Sequence, residues 1–370
     1  MKLKISNLSS IALSILAMIG LLASTVCFVS CKKEKNNDAD NSNIQYVGRM
    51  DFTNPKCVKY SAAGAYIKAK FKGTYLEIIM NDAASNTHNY IEVVIDNMEP
   101  TRIQLTAGKK AYKIADNLSD GEHTVLICKD TEASIGLIEF YGFNCEGLLP
   151  LSDKPTRKIE CFGNSITAGS CMLTGEPCEL VANGSNWNAA NCAYLSYGAL
   201  TARALNAQYH ITAWSGIGLI HSCCDMTNTM PDVYDRMYLD QATPKWDFAQ
   251  YIPDVVTICL GQNDGAENVA SQAFKDSYVA FINNLRSKYP NTTFFLLTSP
   301  MADDNLLSVM NTSLQSIIDQ LNTAGDKKIF KVELPHGMNG GCSANPHPSI
   351  EQHAQCAKVL AAAIGEKMGW

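Results

Sequence analysis

The sequence predicts two folded regions, an antiparallel β-sandwich over residues 45–148 and an α/β domain with a parallel sheet over residues 149–370. Up to about residue 145, short stretches alternate apolar and polar residues, which is typical of strands with one solvated face. After residue 149, short apolar runs alternate with stretches whose apolar residues recur every three or four positions. That second pattern indicates strand–helix repeats around a parallel sheet.

The composition is that of a globular protein. The chain has 370 residues, of which 46% are hydrophobic and 18% charged, and its formal net charge is −6. This apolar content supplies a core and excludes a fully disordered chain. The acidic balance argues against a nucleic-acid partner, which would require a basic surface. The histidines are scattered and the cysteine spacing fits no zinc pattern, so we expect no metal and no cofactor.

Residues 1–30 have the features of an export signal. Two lysines precede an apolar stretch that ends in small residues, as in a secretory signal peptide. Residues 28–31 resemble a bacterial lipobox, so we expect lipidation of Cys31; Cys27 is a weaker candidate, and an uncleaved membrane anchor is the alternative. Residues 31–44 are polar and predict a flexible tether. We therefore expect an exported lipoprotein, periplasmic or at the cell surface, that meets the membrane only through its lipid.

Of the 14 cysteines, most follow Cys31 in the region predicted to be exported, where disulfides persist. Cys161 and Cys259 lie inside apolar runs and are expected to be buried free thiols. Six others lie in loop-like sequence, and the sequence selects no connectivity among them. These are Cys171, Cys178, Cys192, Cys223, Cys224 and Cys342.

The N-terminal region is predicted to contain several short strands. Over residues 65–72, apolar residues alternate with Tyr66 and three lysines, which predicts one buried and one solvated face. Turn sequences such as Asp120-Gly121 separate the strands, and this spacing favours a sandwich. The further predicted strands cover residues 75–80, 90–95, 102–105, 123–128 and 137–141.

The C-terminal region is predicted to contain five strands, at residues 158–162, 210–214, 255–260, 293–298 and 329–332. Helical spacing runs over residues 274–289 and 306–321, and a final helix is predicted over 350–368. Ligands of such sheets bind at the carboxyl ends of the strands. Three segments are therefore candidates for a site: residues 163–169, 215–221 and 261–264.

Ser165 follows the first of these strands within a turn flanked by Gly163 and Gly169. A hydroxyl in this position can act as a nucleophile if a base removes its proton. The alternative is that Ser165 only caps the following helix. The sequence is not the Gly-x-Ser-x-Gly elbow of the α/β-hydrolases.

Asn263 and Gly216 follow two other strands of the predicted sheet. The Asn263 amide can donate a hydrogen bond to a developing oxyanion, or the Asn263-Asp264 pair can simply form a turn. The backbone N–H of Gly216 can approach a ligand closely, although turns are the commoner use of glycine.

His347 lies between two prolines, just before the last predicted helix. The prolines fix the local backbone, so His347 is restrained as a base would need to be. An isolated histidine in a loop is usually a surface residue. His347 gains weight only from its coexistence with the three strand-end segments.

Together, these segments resemble the four sequence blocks of the SGNH (GDSL-like) hydrolases, and they occur in that family's order. Residues 48–52, 196–203, 245–248 and 367–370 resemble carbohydrate esterase family 2, and the resemblance covers nearly all of residues 46–370. It implies a jelly-roll domain joined to a three-layer α/β/α SGNH domain with a five-stranded sheet. It also implies an enzyme that removes O-acetyl groups from plant polysaccharides.

The resemblance assigns roles to four residues. Ser165 resembles the nucleophile and His347 the general base. The backbone N–H groups of Ser165 and Gly216, together with the side chain of Asn263, would form the oxyanion hole.

This sequence departs from the family pattern at three places. Asn164 stands where the first block usually has Asp, and Gln262 stands where the third block usually has Thr. The Asp that commonly precedes the histidine is replaced by Ala344 or Asn345. We therefore expect a Ser–His dyad in which a backbone carbonyl or Asn345 orients His347.

The implied substrate is an acetylated polysaccharide or oligosaccharide such as acetylated xylan or mannan, and the expected state is a monomer. Two alternatives remain: an SGNH esterase acting on another acylated glycan or small glycoside, and a non-catalytic carbohydrate-binding lipoprotein. Trp187, Trp214 and Trp246 are candidates for stacking on sugar, with plain packing as the alternative.

Overall fold

The structure is a computed structural model that describes residues 37–84, 87–176 and 187–370, apart from the side chain of Trp187. The predicted signal peptide over residues 1–30, Cys31 and Cys178 lie outside the described residues. All described residues belong to one unit of mutually contacting chain. None of the helices in these three ranges is both long and apolar enough to cross a bilayer.

The N-terminal part consists of ten strands. They are β1 (Gln45–Val47), β2 (Val58–Tyr60), β3 (Tyr66–Lys72), β4 (Leu76–Asp82), β5 (Tyr90–Ile95), β6 (Thr101–Gln104), β7 (Lys110–Ala115), β8 (Glu122–Lys129), β9 (Ile138–Asn144) and β10 (Gly147–Leu149). One antiparallel sheet has the order β1-β3-β8-β5-β6 with β10 also paired to β3, and the other has the order β2-β9-β4-β7. Both sheets contribute side chains to one apolar core, which confirms the predicted sandwich.

Strand β3 follows the predicted alternation with one exception. Ile67, Ala69 and Phe71 are fully buried in the sandwich core, and the three lysines between and after them are at least partly exposed. Tyr66 was predicted to lie on the solvated face, but it is buried. Its ring lies 5.1 Å from that of Tyr209, because the α/β domain covers this end of the strand.

Residues 37–44, predicted to be part of the flexible tether, pack against the sandwich instead. Ala39 and Ile44 are buried in its core. The Ala39 N–H donates to the carbonyl of Tyr141 at 3.0 Å, and Asp38 forms a β-bridge with Gly142. The prediction missed this because the two apolar residues are isolated in a polar stretch.

The C-terminal part is built on a five-stranded parallel sheet, as predicted. Its strands are β11 (Arg157–Gly163), β12 (Ala207–Ala213), β13 (Val255–Cys259), β14 (Thr293–Leu297) and β15 (Ile329–Val332). Their order is β12-β11-β13-β14-β15. Strands β12, β13 and β14 are buried throughout, as expected for a sheet covered on both faces.

Helices cover both faces of this sheet. They are α1 (Ser165–Ala168), α2 (Tyr197–Ala204), α3 (Met230–Val233), α4 (Gly265–Ala270), α5 (Gln272–Lys288), α6 (Asp304–Thr323) and α7 (Ile350–Met368). Ile159 and Cys161 of β11 pack in a cluster with α2 and α7, whereas Phe162 packs with α5 and α6. Neighbouring residues of one strand thus contribute to opposite layers, giving the predicted three-layer arrangement.

The long helices begin at polar caps that their sequences supply. Ser271 accepts the N–H of Phe274 at the start of α5, and Asp303 accepts the N–H of Leu306 at the start of α6. Ser349 and Gln352 form a reciprocal capping box at the start of α7. These caps satisfy N–H groups that have no partner within the helix.

The cysteines divide into buried thiols and bridged residues. Cys161 and Cys259 are buried and free, as predicted, and so are Cys171 and Cys192. The adjacent residues Cys223 and Cys224 form a disulfide with each other. Cys342 is also disulfide-bonded.

Candidate active site

Three strand ends of the parallel sheet lie side by side. Gly163, the last residue of β11, pairs with Ala213 of β12 and with Cys259 of β13. The segments that follow these strands therefore leave the sheet at the same edge. They carry Ser165, Gly216 and Asn263, so the sheet itself brings the predicted site residues together.

Ser165 is the first residue of α1 and does not cap it. The cap is Asn164, whose side-chain oxygen accepts the N–H of Ile166 at 3.1 Å. Ser165 is therefore free of the capping role proposed as the alternative, and Asn164 keeps an acceptor oxygen where the family usually has Asp. Gly163 is needed here, because a Cβ at this position would lie 2.0 Å from Thr167 Oγ1.

A cavity of about 400 Å³ contains all four predicted site residues. It is lined by Ser165, Ser170, Ser215, Gly216, Cys223, Cys224, Gln262, Asn263, Met301, Asn345 and His347. The hydroxyl, the imidazole and the donor groups predicted from sequence thus share one opening.

The Asn263 amide is held in place by a single bond. Its Nδ2 donates to the carbonyl of Ile217 at 2.8 Å. A side-chain amide has two N–H donors, so one remains for a ligand.

Asp264 anchors the loop that carries Gly216. Its buried carboxylate accepts the backbone N–H groups of Leu219, Ile220 and His221 at 2.8 to 3.0 Å. Burial raises the pKa of this carboxyl group, and the three N–H donors oppose the shift. From the sequence, Asp264 was expected only as part of a turn, whereas its carboxylate joins two of the strand-end segments.

His347 is oriented by a backbone carbonyl. Its Nδ1 lies 3.1 Å from the carbonyl oxygen of Asn345. A carbonyl only accepts, so Nδ1 carries the proton and Nε2 is the free acceptor. The His347 carbonyl in turn accepts the N–H of Gly341 at 2.7 Å, which fixes the segment from the other side.

The acidic residues near His347 in the sequence have other partners. Glu333 accepts from Asn311 Nδ2 at 2.6 Å, and Glu351 accepts from Ser349 Oγ at 2.8 Å. The Asn345 side chain contacts Cys171 Sγ at 3.4 Å. Of the two orienting groups expected from the sequence, it is therefore the backbone carbonyl, and not the Asn345 side chain, that contacts the His347 ring.

Burial lowers the pKa of the His347 imidazole below its ordinary value of 6.5, and the bond to Asn345 opposes this shift in part. The imidazole is therefore neutral at neutral pH, as a base requires. A second histidine, His353, is fully buried, accepts the Tyr197 N–H at Nδ1, and has its pKa lowered to about 3. His353 is thus uncharged at neutral pH.

Trp214 and Trp246 are not among the residues that line this cavity. Trp246 is buried, with His210 at its edge and the Arg49 guanidinium 5.4 Å from its ring centroid. Trp214 packs against the apolar cluster under α5 and α6. The structure therefore supports a packing role for Trp246 and Trp214. The Trp187 side chain lies outside the described residues.

Among the described residues, one cluster has the composition of a metal site. Ligand atoms of Glu92, Asp130 and Cys192 lie within 4.8 Å of one another. Arg102 occupies the same place, with Nη1 2.6 Å from Asp130 and 3.3 Å from Glu92. Both carboxylates already have a cationic partner, so the cluster fits an ion pair better than a metal.

Sequence reasoning missed part of the cavity wall. The disulfide between Cys223 and Cys224 forms one side of it, beside Gly216, where a Cβ would lie 3.1 Å from Cys223 Sγ. The pair of adjacent cysteines just after residues 215–221 is the sequence feature that could have indicated this wall. Glu132 of the sandwich domain reaches the backbone of Ser215, and no sequence pattern indicated this.

Two family models match consecutive parts of the chain. Carbohydrate esterase 2 N-terminal matches residues 46–155, and the GDSL-like Lipase/Acylhydrolase family matches residues 161–328. The cellulase/esterase CelE of Acetivibrio thermocellus is 33% identical over 339 residues, which are 90% of this chain but only 40% of that relative's length. An acetylxylan esterase/glucomannan deacetylase of Cellvibrio japonicus is 28% identical over 340 residues, 90% of this chain and 91% of that protein.

A solved structure decides the family. The family two carbohydrate esterase from Clostridium thermocellum, solved in complex with cellohexaose, is 30% identical with a TM-score of 0.78, and the match covers 88% of this chain and 99% of that one. The chain belongs to carbohydrate esterase family 2. The family and the fold predicted from sequence are confirmed. The predicted enzyme class, a carboxylic ester hydrolase, is confirmed as well.

Replacing the Asn263 amide should slow the chemical step of the esterase. In Asn263→Ala we expect kcat to fall by about 10²–10³-fold, because a donor to the oxyanion is lost. The measurement is steady-state hydrolysis of a soluble acetyl ester. Asn268→Ala is the matched control, since this equally half-buried amide donates to the Asp264 carbonyl outside the cavity. Unchanged kcat in folded Asn263→Ala would contradict the prediction.

The lowered pKa of His347 predicts the acid limb of the pH profile. Only the neutral imidazole accepts a proton, so kcat/KM should be retained above the His347 pKa and lost as the pH falls through it. Because that pKa is lower than 6.5, the midpoint should lie below pH 6.5. Hydrolysis of a fluorogenic acetyl ester measures it, with circular dichroism checking the fold at each pH. A midpoint at or above 6.5 would show that burial does not control this imidazole.

Proposed function

We propose that the protein is a serine esterase that removes O-acetyl groups from plant cell-wall polysaccharides such as acetylated xylan or mannan. The observation that carries the proposal is the single cavity shared by Ser165, Gly216, Asn263 and His347. The Cellvibrio japonicus relative is named an acetylxylan esterase/glucomannan deacetylase, which supports this substrate class.

The proposed mechanism is a Ser–His acyl transfer. His347 Nε2 takes the proton of Ser165 as Oγ attacks the acetyl carbonyl carbon. The backbone N–H groups of Ser165 and Gly216 and the Asn263 amide hold the resulting oxyanion. When the intermediate collapses, His347 protonates the departing sugar oxygen. It then deprotonates the water that attacks the acetyl-serine, and it returns this proton to Ser165 Oγ as acetate leaves.

Two other functions use the same architecture differently. An esterase acting on another acylated glycan or a small glycoside would share the chemistry but not the substrate. A carbohydrate-binding lipoprotein without catalysis would use the sandwich domain for binding and leave the cavity idle. The coexistence of Ser165, Asn263 and His347 in one cavity favours a catalytic function over the latter.

Acetate release tests the proposal directly. The chain without its predicted signal peptide is incubated with acetylated xylan and acetylated mannan, with Ser165→Ala as the matched variant and a long-chain acyl ester as a second substrate. We expect acetate from at least one polysaccharide and none with Ser165→Ala. Polysaccharide binding without release would overturn the esterase proposal, and activity on the long chain alone would overturn the carbohydrate assignment.

We also propose that the protein is exported and anchored through a lipid on Cys31, on the basis of the lipobox-like residues 28–31. Metabolic labelling with a fatty-acid analogue in a bacterial host tests this. Wild-type protein should be labelled and recovered with membranes, whereas Cys31→Ala should be unlabelled. Labelling that persists in Cys31→Ala but disappears in Cys27→Ala would move the anchor to Cys27.

A further inference from the structure

We propose that Glu132, a residue of the sandwich domain, is a positioning residue for the oxyanion hole of the α/β domain. This inference rests on the proposed function, because it assigns Glu132 to the same reaction. On this proposal, the N-terminal domain forms part of the active site, in addition to any surface with which it binds carbohydrate.

The contact is direct and fully enclosed. The backbone N–H of Ser215 donates to Glu132 Oε2 at 2.6 Å, and the Glu132 side chain is 1% exposed. The Ser215 hydroxyl lies 3.1 Å from that of Ser170, and both serines line the cavity. Glu132 therefore contacts the backbone one residue before the Gly216 N–H, from behind the cavity wall.

The buried amino group of Lys129 holds the segment that carries Glu132. Lys129 Nζ donates to the Thr131 carbonyl at 2.6 Å, to Thr131 Oγ1 at 3.0 Å and to the Glu132 carbonyl at 2.9 Å. Thr131 Oγ1 in turn donates to Asn89 Oδ1 at 2.5 Å. Lys129, Thr131 and Glu132 are all essentially unexposed. These hydrogen bonds fix the backbone of the segment more firmly than a solvated loop would be fixed.

The apolar contact beside Glu132 continues this anchoring into the α/β domain. Glu132 precedes a short 3₁₀ helix, Ala133–Ile135. Ala133 is fully buried in the same apolar cluster as Ile217. The sandwich segment thus meets the Gly216 loop through the hydrogen bond at Ser215, and Ala133 joins the apolar cluster to which Ile217 belongs.

Gly216 needs external anchors because its backbone is intrinsically free. Its φ of 81° is a conformation that glycine adopts readily among several others. The carbonyl of Gly216 accepts the Cys223 N–H at 2.8 Å, which fixes the loop after the glycine. Glu132 fixes it before the glycine. With both anchors in place, the Gly216 N–H is held in one orientation. Without Glu132, the peptide group between Ser215 and Gly216 can rotate.

The test compares Glu132→Ala and Glu132→Gln in the full exported chain, with a soluble acetyl ester as substrate. Displacing a catalytic group by about 1 Å can lower the rate by about 10²-fold, so we expect kcat of Glu132→Ala to fall by up to this factor while KM stays near the wild-type value. Glu132→Gln keeps an oxygen that can accept the Ser215 N–H, and we expect it to recover most of kcat.

His210→Ala is the matched control. The His210 side chain is also buried, and its Nε2 accepts the backbone N–H of Gly48 at 3.0 Å, so it makes the same kind of bond between the two domains away from the cavity. We expect His210→Ala to lower the unfolding temperature without the selective loss of kcat.

Amide hydrogen exchange supplies a readout that does not depend on activity. Glu132→Ala should speed exchange in peptides that contain Ser215, whereas His210→Ala should speed it around Gly48 only. Unchanged exchange at Ser215 and wild-type kcat in Glu132→Ala would overturn the inference, and so would equal losses of kcat in the Glu132→Ala and His210→Ala variants. A wild-type protein inactive on every acyl ester would instead overturn the proposed function, while the exchange data would still decide the anchoring role.

Discussion

The burial of four consecutive polar residues, Lys129 to Glu132, is the constraint on which the two halves of this esterase depend. Charged groups withdrawn from water must be paired and hydrogen-bonded, or they destabilise the fold. The Lys129 amino group donates within the segment itself, and the other three side chains have partners elsewhere in the chain. Asp130, for example, pairs with Arg102 and accepts the Tyr194 N–H. Asp130 and Glu132 accept backbone N–H groups of the α/β domain, so the segment links the position of one sheet to that of the other.

His347, the proposed base, is oriented by a group with a weaker electrostatic effect than that of an acid. A carboxylate beside Nδ1 would orient the imidazole of His347 and also stabilise its charged form. The Asn345 carbonyl supplies the orientation with only a partial charge, and burial acts in the opposite direction. The imidazole is therefore a weaker proton acceptor than its counterpart in a triad. Catalysis in such a dyad depends more heavily on the precision of the oxyanion donors.

Much of this fold could be predicted from the sequence, because the spacing of apolar residues indicates which side chains are buried. The five parallel strands and the stripe of α6 from Leu306 to Leu321 are buried where their spacing indicated. Strand β7 was missed, because it has no fully buried residue and therefore no alternation to detect. Glu132 was missed for the opposite reason, since a run of charged residues indicates a solvated turn until a second domain covers it. The missing acid before His347 indicated that a backbone carbonyl or Asn345 orients the imidazole, but it did not identify which carbonyl, because every residue has one.

The disulfide between Cys223 and Cys224 joins neighbours, so it closes almost no length of unfolded chain and adds little to global stability through chain entropy. Its effect is confined to the shape of the cavity wall beside Gly216. Protein with this bond intact and protein with it reduced are therefore two chemical species with the same sequence. Loss of the Cys223–Cys224 bond alone would hardly change a melting curve or a gel-filtration profile, and its trace would lie in the wall of the cavity.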